Sequence, residues 1–527
     1  MSTQLSSRRD TLIVAGVMLA LLGCAVSVWN ILLTRPLWLD EVHTLIVAER
    51  PTAALVLSDL TGGVDTAPGL MHLLMWSIGR VVSLSPVVLH LVPLVAVWLG
   101  HVFLFAALRR RFGVIASSAG TLAVLTTLLV VQMTYEARFY GLWLMFAAGF
   151  ACAIGREPSR GRDLLVGVFA ILLCTIHWFG VISLGIMCVA VMTVHWRTWR
   201  VGLRAIVPAA AGIIALLFTI PVLLGQRAAV TAPTWIPAPN SGQIWEMTRT
   251  FYVALVPVLA VLILLAQRLR PRADSRDLTA EGRELTAESR EPRPDGREPR
   301  ALWNRSIVAL ASLALMPVAM YMVSVVLQPS LLDRYSTVAL LAWAPLVACA
   351  TQALPARAGV LFSLLLLSLG ALNYRRAAGG MQSYQRVFDA DLRSWNAAVS
   401  RTDLPIVFQA RHVQLPIAAV KPSGRERMAF LVLPDSTLNA AFNVRGPLRL
   451  MNAFFRFERE AALLHHRVYR FPPVRTQAEL DTTSQFLLLA SDASLPPGYK
   501  NVERFAQVFF PTHTVTRLER NLALLRR

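Results

Sequence analysis

The stretch RPLWLDEVHT, residues 35–44, follows at once on the apolar run from Thr11 to Leu33, which is long enough to span a bilayer. Two adjacent carboxylates, Asp40 and Glu41, therefore stand where the chain leaves a membrane. Ionised groups at that depth are costly unless they face a wet cavity or a partner, so their position asks for a function. The box Leu21-Leu22-Gly23-Cys24 behind Arg8 and Arg9 looks faintly like a lipoprotein cleavage site, but the apolar run continues to Leu33. An uncleaved first helix with its N-terminus inside is expected.

Composition carries the same reading to the rest of the chain. Of 527 residues, 55% are hydrophobic and 16% charged, and the mean hydropathy is +0.54, so an integral membrane protein is expected. The formal charge of +20 comes from arginines clustered between apolar runs, as in cytoplasmic loops, and does not indicate nucleic acid. Cys24, Cys152, Cys174, Cys188 and Cys349 lie inside apolar runs without metal-ligand spacing, and the long tail has no cysteine to form a disulfide.

Alternating apolar runs with arginine clusters gives about eleven transmembrane helices. After 11–33, the spans are 87–108, 114–133, 137–154, a pair within 164–195 hinged at HWFG (177–180), 205–225, 251–267, 305–327, 336–353 and 358–373. The segment GLMHLLMWSIGRVVS (69–83) is apolar but short and carries Arg80, so it is expected to lie flat on the outer surface within the first outer loop, 34–86. Residues 268–302 contain the imperfect repeat RDLTAEG, RELTAES, REPRPDG and are expected to form a disordered cytoplasmic loop. The membrane domain is thus 1–373. The remainder, 374–527, holds strand-like runs LPIVFQ, RMAFLVLP and SQFLLLA and is expected to be a small extracytoplasmic α/β domain. The fold class is an α-helical polytopic membrane protein with that domain attached.

This topology gathers the unusual polar residues on one side. Asp40, Glu41, His43, Asp65, Glu136, Arg138, His177 and Arg334 all fall at outer helix ends or in outer loops. Each has a bland alternative. Arg138 can pair with Glu136, Arg334 with Asp333, His177 can cap a helix beside Trp178, and the acid pair can serve a helix N-terminus after Pro36. Several independent loops contribute, however, and both signs are present. A carboxylate can take a proton from an attacking hydroxyl, and arginines can hold a departing phosphate. Such a set suits a lipid-linked anionic donor, with 69–83 as the rim along which the lipid arrives.

The ordered motifs PLWLDEVHT, VDTAPGLMHLL, RRRFG, MTYEARFYGL, HWFG and DRYSTVALLAWAPL resemble those of GT-C membrane glycosyltransferases that use polyprenyl-phosphate sugars. The bacterial branch similar to protein O-mannosyltransferases and the lipid A aminoarabinose transferase is nearest. The resemblance covers roughly residues 10–355 and implies inverting transfer at the outer face. It implies Asp40 as base, with Glu41 beside it and Asp65 as a second acidic position before Pro68. It also implies Arg138 and Tyr140 of the EAR.Y motif, beside Glu136, and the Arg334–Tyr335 pair as substrate-binding residues. The chain departs from the pattern at Ala67, where histidine is common, and at Gly69, where a second proline often stands. The cofactor stays open, with a divalent cation near Asp40, Glu41 and Asp65 as the candidate.

A polyprenyl-phosphate sugar donor and a glycan, glycolipid or protein acceptor are the implied partners, at a bacterial cytoplasmic membrane that the chain crosses many times. Two other classes compete. A lipid-sugar flippase or other transporter should show repeated halves and ionisable groups near the bilayer midplane. A non-catalytic scaffold for envelope assembly would keep the fold and lose chemistry.

Overall fold

The computed structural model describes four isolated positions between 16 and 26, then residues 35–229, 239–249, 300–327, 329–408, 411–420, 423, 425–432, 474–490, 502–519 and 522–527. The expected spans 11–33 (apart from those four positions) and 251–267, and the loop 268–302 up to residue 299, fall outside them. Three short helices precede the first long described one: α1 (Leu39–Ala48), α2 (Ala53–Thr61) and α3 (Leu70–Gly79). At ten residues α3 is about 15 Å long, too short to cross a bilayer. The long helix α4 (Pro86–Arg109) opens as sequence rules require, with the Ser85 side chain accepting from the Val88 amide and Pro86 in the first turn.

Five helical segments among the described residues are long and apolar enough to cross a membrane. Shorter apolar helices pack among them, and the protein is a multi-pass membrane protein. The expected helix 114–133 is broken into α5 (Val114–Leu125) and α6 (Leu128–Met133), because Thr127 adopts an extended backbone. The amide of Asn373 donates to the carbonyl of Thr126 at 2.6 Å, so a distant helix satisfies the group the break exposes. After α7 (Tyr140–Ile154), the expected pair is present as α8 (Arg160–Ile176) and α9 (Trp178–Val194), with His177 extended at the hinge. The run near 205–225 is α10 (Trp199–Ile206), a turn of 3₁₀ helix and α11 (Ala210–Ala229). The short α12 (Ser241–Thr248) follows.

Helices α13 (Arg300–Ser312) and α14 (Met316–Val326) lead to ten residues of 3₁₀ helix, Asp333–Ala342, where an α-helix was expected from 336. Only then does α15 (Trp343–Gln352) begin. Close approach of α5 to α15 depends on Gly120, where an added Cβ would lie 2.4 Å from the carbonyl oxygen of Ala344. The last of the described helices long enough to cross a membrane, α16 (Ala356–Arg401), has 46 residues and runs straight through the expected limit at 373.

Beyond it lies a six-stranded mixed sheet in the order β3-β2-β1-β4-β6-β5, built from β1 (Ile406–Phe408), β2 (Met428–Val432), β3 (Val474–Thr476), β4 (Gln485–Leu489), β5 (Thr514–Glu519) and β6 (Leu522–Arg526). The three apolar runs expected as strands are β1, β2 and β4, which pair in parallel. Their residues are apolar without alternation because both faces are covered. Trp395 of α16 stacks on Phe408 at 5.7 Å on one face, and Phe505 and Phe509 of α18 (Val502–Phe509) bury the other. Between β1 and β2, α17 (Arg411–Ala419) rests against α1. The Tyr384 hydroxyl of α16 donates to the Leu37 carbonyl at 3.3 Å. The sheet domain therefore sits directly over the stretch 35–44.

Candidate active site

Although neighbours, Asp40 and Glu41 turn in different directions on the first turn of α1. Glu41 is fully buried. It closes the helix start by accepting from the Trp38 amide at 3.0 Å, and it accepts from the Ala137 amide at 2.7 Å. Arg35 and His90 of α4 complete its shell, and Arg35 also donates to the Tyr135 carbonyl at 2.8 Å. Burial would push this carboxyl up, but Arg35 and His90 outweigh it and hold it down at about 2. Glu41 thus rivets the 35–38 loop, α4 and the 135–137 segment together.

Asp65 ends in a second buried network. Both its oxygens accept from Arg138, at 3.1 Å through Nη2, and the His72 ring of α3 reaches it at 3.0 Å. Burial opposes its charge, and Arg138 and His72 keep it well below the usual carboxylate range. Arg138 then donates onward to the Asp40 carbonyl at 3.0 Å and the Thr44 hydroxyl at 3.3 Å. A chain of contacts, His72 to Asp65 to Arg138, therefore props up the backbone that carries Asp40.

The turn holding Asp65 explains the glycine at 69, where the resembled pattern often has proline. Gly69 has φ +120°, a conformation closed to proline, whose ring fixes φ near −65°. The Ala67 carbonyl accepts from Gln226 of α11 at 2.9 Å. An imidazole still meets the acidic position, but it comes from His72, one helical turn into α3.

Asp40 is left partly open to solvent, its side chain about one quarter exposed, with Arg334 donating to Oδ2 at 3.1 Å. The Arg334 guanidinium lies over Trp38 (5.7 Å) and Tyr335 (5.6 Å). Beside it is an aromatic group. His177 stacks on Phe139 at 4.2 Å and lies 5.5 Å from Tyr335, and Tyr140 lies 6.2 Å from Tyr335. The Phe179 amide donates to His177 Nδ1 at 3.3 Å, which puts the ring proton on Nε2. Glu136 stands between the two buried networks with one buried oxygen that accepts no hydrogen bond. Burial first, and the charge of Glu41 second, push its carboxyl up to about 7.

The expected residues thus converge in space; the two arginines depart from their bland alternatives, whereas His177 does cap α9 and Glu41 does serve the start of α1. Arg138 pairs with Asp65 and not Glu136, and Arg334 with Asp40 and not Asp333. The cation candidate finds no support in the geometry: among the described residues no group of three or more His, Cys, Asp or Glu side chains converges as ligands. Arg35 and His90 occupy Glu41, and Arg138 and His72 occupy Asp65. His43 lies half-buried on α1. Sequence reading missed Arg35, Thr44, His72 and His90. The histidines had a signal, since each interrupts an apolar run.

The polytopic helical domain with a small mixed sheet after its last long helix is a fold shared with solved structures of ArnT. No protein-family model and no curated protein sequence matches the chain. Among solved structures, ArnT from Cupriavidus metallidurans in the apo state aligns with a TM-score of 0.57 at 13% identity, covering 97% of this chain and 98% of ArnT. The same ArnT bound to undecaprenyl phosphate aligns with a TM-score of 0.53, again at 13% identity, with 97% and 98% covered.

Proposed function

We propose that this protein is a membrane glycosyltransferase that moves a sugar from a polyprenyl-phosphate carrier to an acceptor hydroxyl at the outer membrane face, with inversion and with Asp40 as general base. The observation that carries the reading is the contrast among the site's acids. Glu41 and Asp65 are buried and saturated by cationic partners, whereas Asp40 is partly exposed and its carboxylate meets, among the described residues, Arg334 alone through one oxygen. The ArnT-like fold supports it, as does the undecaprenyl phosphate held by that relative.

In this mechanism the acceptor hydroxyl gives its proton to Asp40 as its oxygen attacks the anomeric carbon. The bond to the carrier breaks with its electron pair on the phosphate oxygen, and the guanidinium of Arg334 stabilises that charge. Arg138 is already spent on Asp65, Thr44 and the Asp40 carbonyl, so its role is to place the base. The half-buried rings of Tyr335 and Trp38 flank Arg334 and offer faces for the sugar. Glu41 holds the loop, and its neighbour acts.

Asp40→Asn keeps the side chain's size and removes the base. Transfer in reconstituted membranes should fall about 100-fold to 10,000-fold, with polyprenyl-phosphate binding retained. Full turnover by Asp40→Asn together with a dead Asp65→Asn would move the base to the other carboxylate, and full activity in both would end the enzyme reading.

A further inference from the structure

At the far ends of α8 and α9 from His177, about 25 Å away along the helices, the structure buries two arginines that share, among the described residues, one carboxylate, that of Asp163. Arg305 of α13 is only 3% exposed. Its single hydrogen-bond partner among the described residues is a neutral acceptor, His195, which takes its Nε proton at 3.3 Å. The nearby charge that Arg305 feels is the guanidinium of Arg162, of like sign. Arg162 is buried too, pairing with Asp163 and donating to the carbonyls of Arg204 and Ala205. A buried guanidinium beside a second one, with no carboxylate of its own among the described residues, is unfavourable unless an anion completes the site.

The segment that borders this cluster has the composition of a membrane interface. Residues 195–206 read HWRTWRVGLRAI, with three arginines and no acid. Trp196 and Trp199 are exposed, together with Val201, Leu203 and Val207. The Arg197 and Arg200 guanidiniums lie over those two indoles at 5.0 and 5.5 Å. Tryptophans at this depth anchor in the headgroup layer, and exposed aliphatic side chains between them suit acyl chains and not water. Arginines among them attract anionic headgroups.

We infer that Arg305, Arg162 and His195, with the Trp196–Arg204 segment as rim, hold the phosphate of an anionic phospholipid in the leaflet opposite the Asp40 site. The terminal nitrogens of Arg305 and the unpartnered Nε of Arg162 supply the hydrogen bonds for the phosphate, and the rim supplies the apolar contacts that a free phosphate ion would leave unused. The site is separate from the proposed transfer chemistry and stands or falls without it.

The test is lipid binding to the full-length purified protein in neutral detergent by native mass spectrometry. The probes are phosphatidylglycerol, phosphatidylcholine with the same acyl chains, and inorganic phosphate as competitor. The wild-type protein should retain phosphatidylglycerol in preference to phosphatidylcholine, and inorganic phosphate should not displace it. Arg305→Gln should abolish the preference. Because Arg305 is buried, the exposed double variant Arg197→Gln/Arg200→Gln guards against misfolding, and it should weaken phosphatidylglycerol binding by about fivefold per arginine removed. Equal retention of the two lipids, or an unchanged preference in both variants, would overturn the inference. Displacement by inorganic phosphate would overturn the lipid and leave a free-anion site.

Discussion

Asp40 and Glu41 are chemically almost the same and adjacent in the chain, yet one meets solvent and the other a closed ion network. The difference comes from α1, whose first turn points successive side chains about 100° apart. The same logic separates the two arginines. Arg138 has bonded protein partners on both terminal nitrogens, while Arg334 is partly exposed. Arg138→Lys cannot reproduce the two-oxygen grip on Asp65 and should displace the Asp40 backbone, lowering kcat by about 100-fold with little change in donor Kd. Arg334→Ala should instead weaken donor binding. Titrating polyprenyl phosphate against both variants beside their turnover separates the roles.

Glu136 adds a dependence on pH. Its folded-state value near 7 lies above the ordinary 4.5, so between those values the folded protein keeps a proton that the unfolded chain has released. Stability linked to this group is present in full below about 4.5 and falls as pH rises through 7. Glu136→Gln removes the penalty. Thermal unfolding in detergent should show the variant more stable than wild type at about pH 8 and equal to it at about pH 4.

Among the elements, the turn before α3 and the break in the 114–133 run have the most influence on the site. Gly69 at φ +120° lets the chain reverse so that His72 faces Asp65. Gly69→Ala forces an L side chain into that region and should cost about 1–3 kcal/mol. Its added Cβ would also lie 3.1 Å from Leu60. Chemical denaturation should report that loss, and transfer activity should fall more than stability alone requires, because the Asp65–Arg138 support of Asp40 is disturbed. The break at Thr126–Thr127 had no proline or glycine to announce it. Its carbonyl is satisfied by Asn373, far along the chain, and a sequence pattern holds no trace of that compensation.

For the molecule as a whole, the topology makes a directional prediction. With the native cysteines replaced, single cysteines introduced in the sheet domain at exposed Arg517 and in the 268–302 loop at Ser289 should label oppositely in intact cells. The first should react without permeabilisation and the second only after it. Labelling of both from the same side would reverse the orientation drawn from the arginine pattern. The contacts of α17 and Tyr384 with the 35–48 region also place the sheet domain over the proposed base, in the path of an acceptor approaching from that side.

Hydrophobicity and arginine distribution were sufficient to define the membrane class, the paired helices hinged at His177 and the three central strands. These follow from local transfer energies and from patterns of a few residues, which the chain carries in order. The convergence of Asp40, Asp65, Arg138 and Arg334 was legible as well, because each interrupts apolar sequence near the same expected face. Their division of labour was not. Whether a carboxylate is a base or a rivet depends on which distant cation reaches it first: Arg138 for Asp65, Arg35 and His90 for Glu41. Arg35 lies six residues from Glu41, but the His90 and Arg138 pairings span 49 and 73 residues and are set by helix packing, whose geometry depends on all the contacting side chains together. The continuation of α16 to Arg401 has the same origin, since its polar second half is held helical by the sheet it covers and not by its own composition.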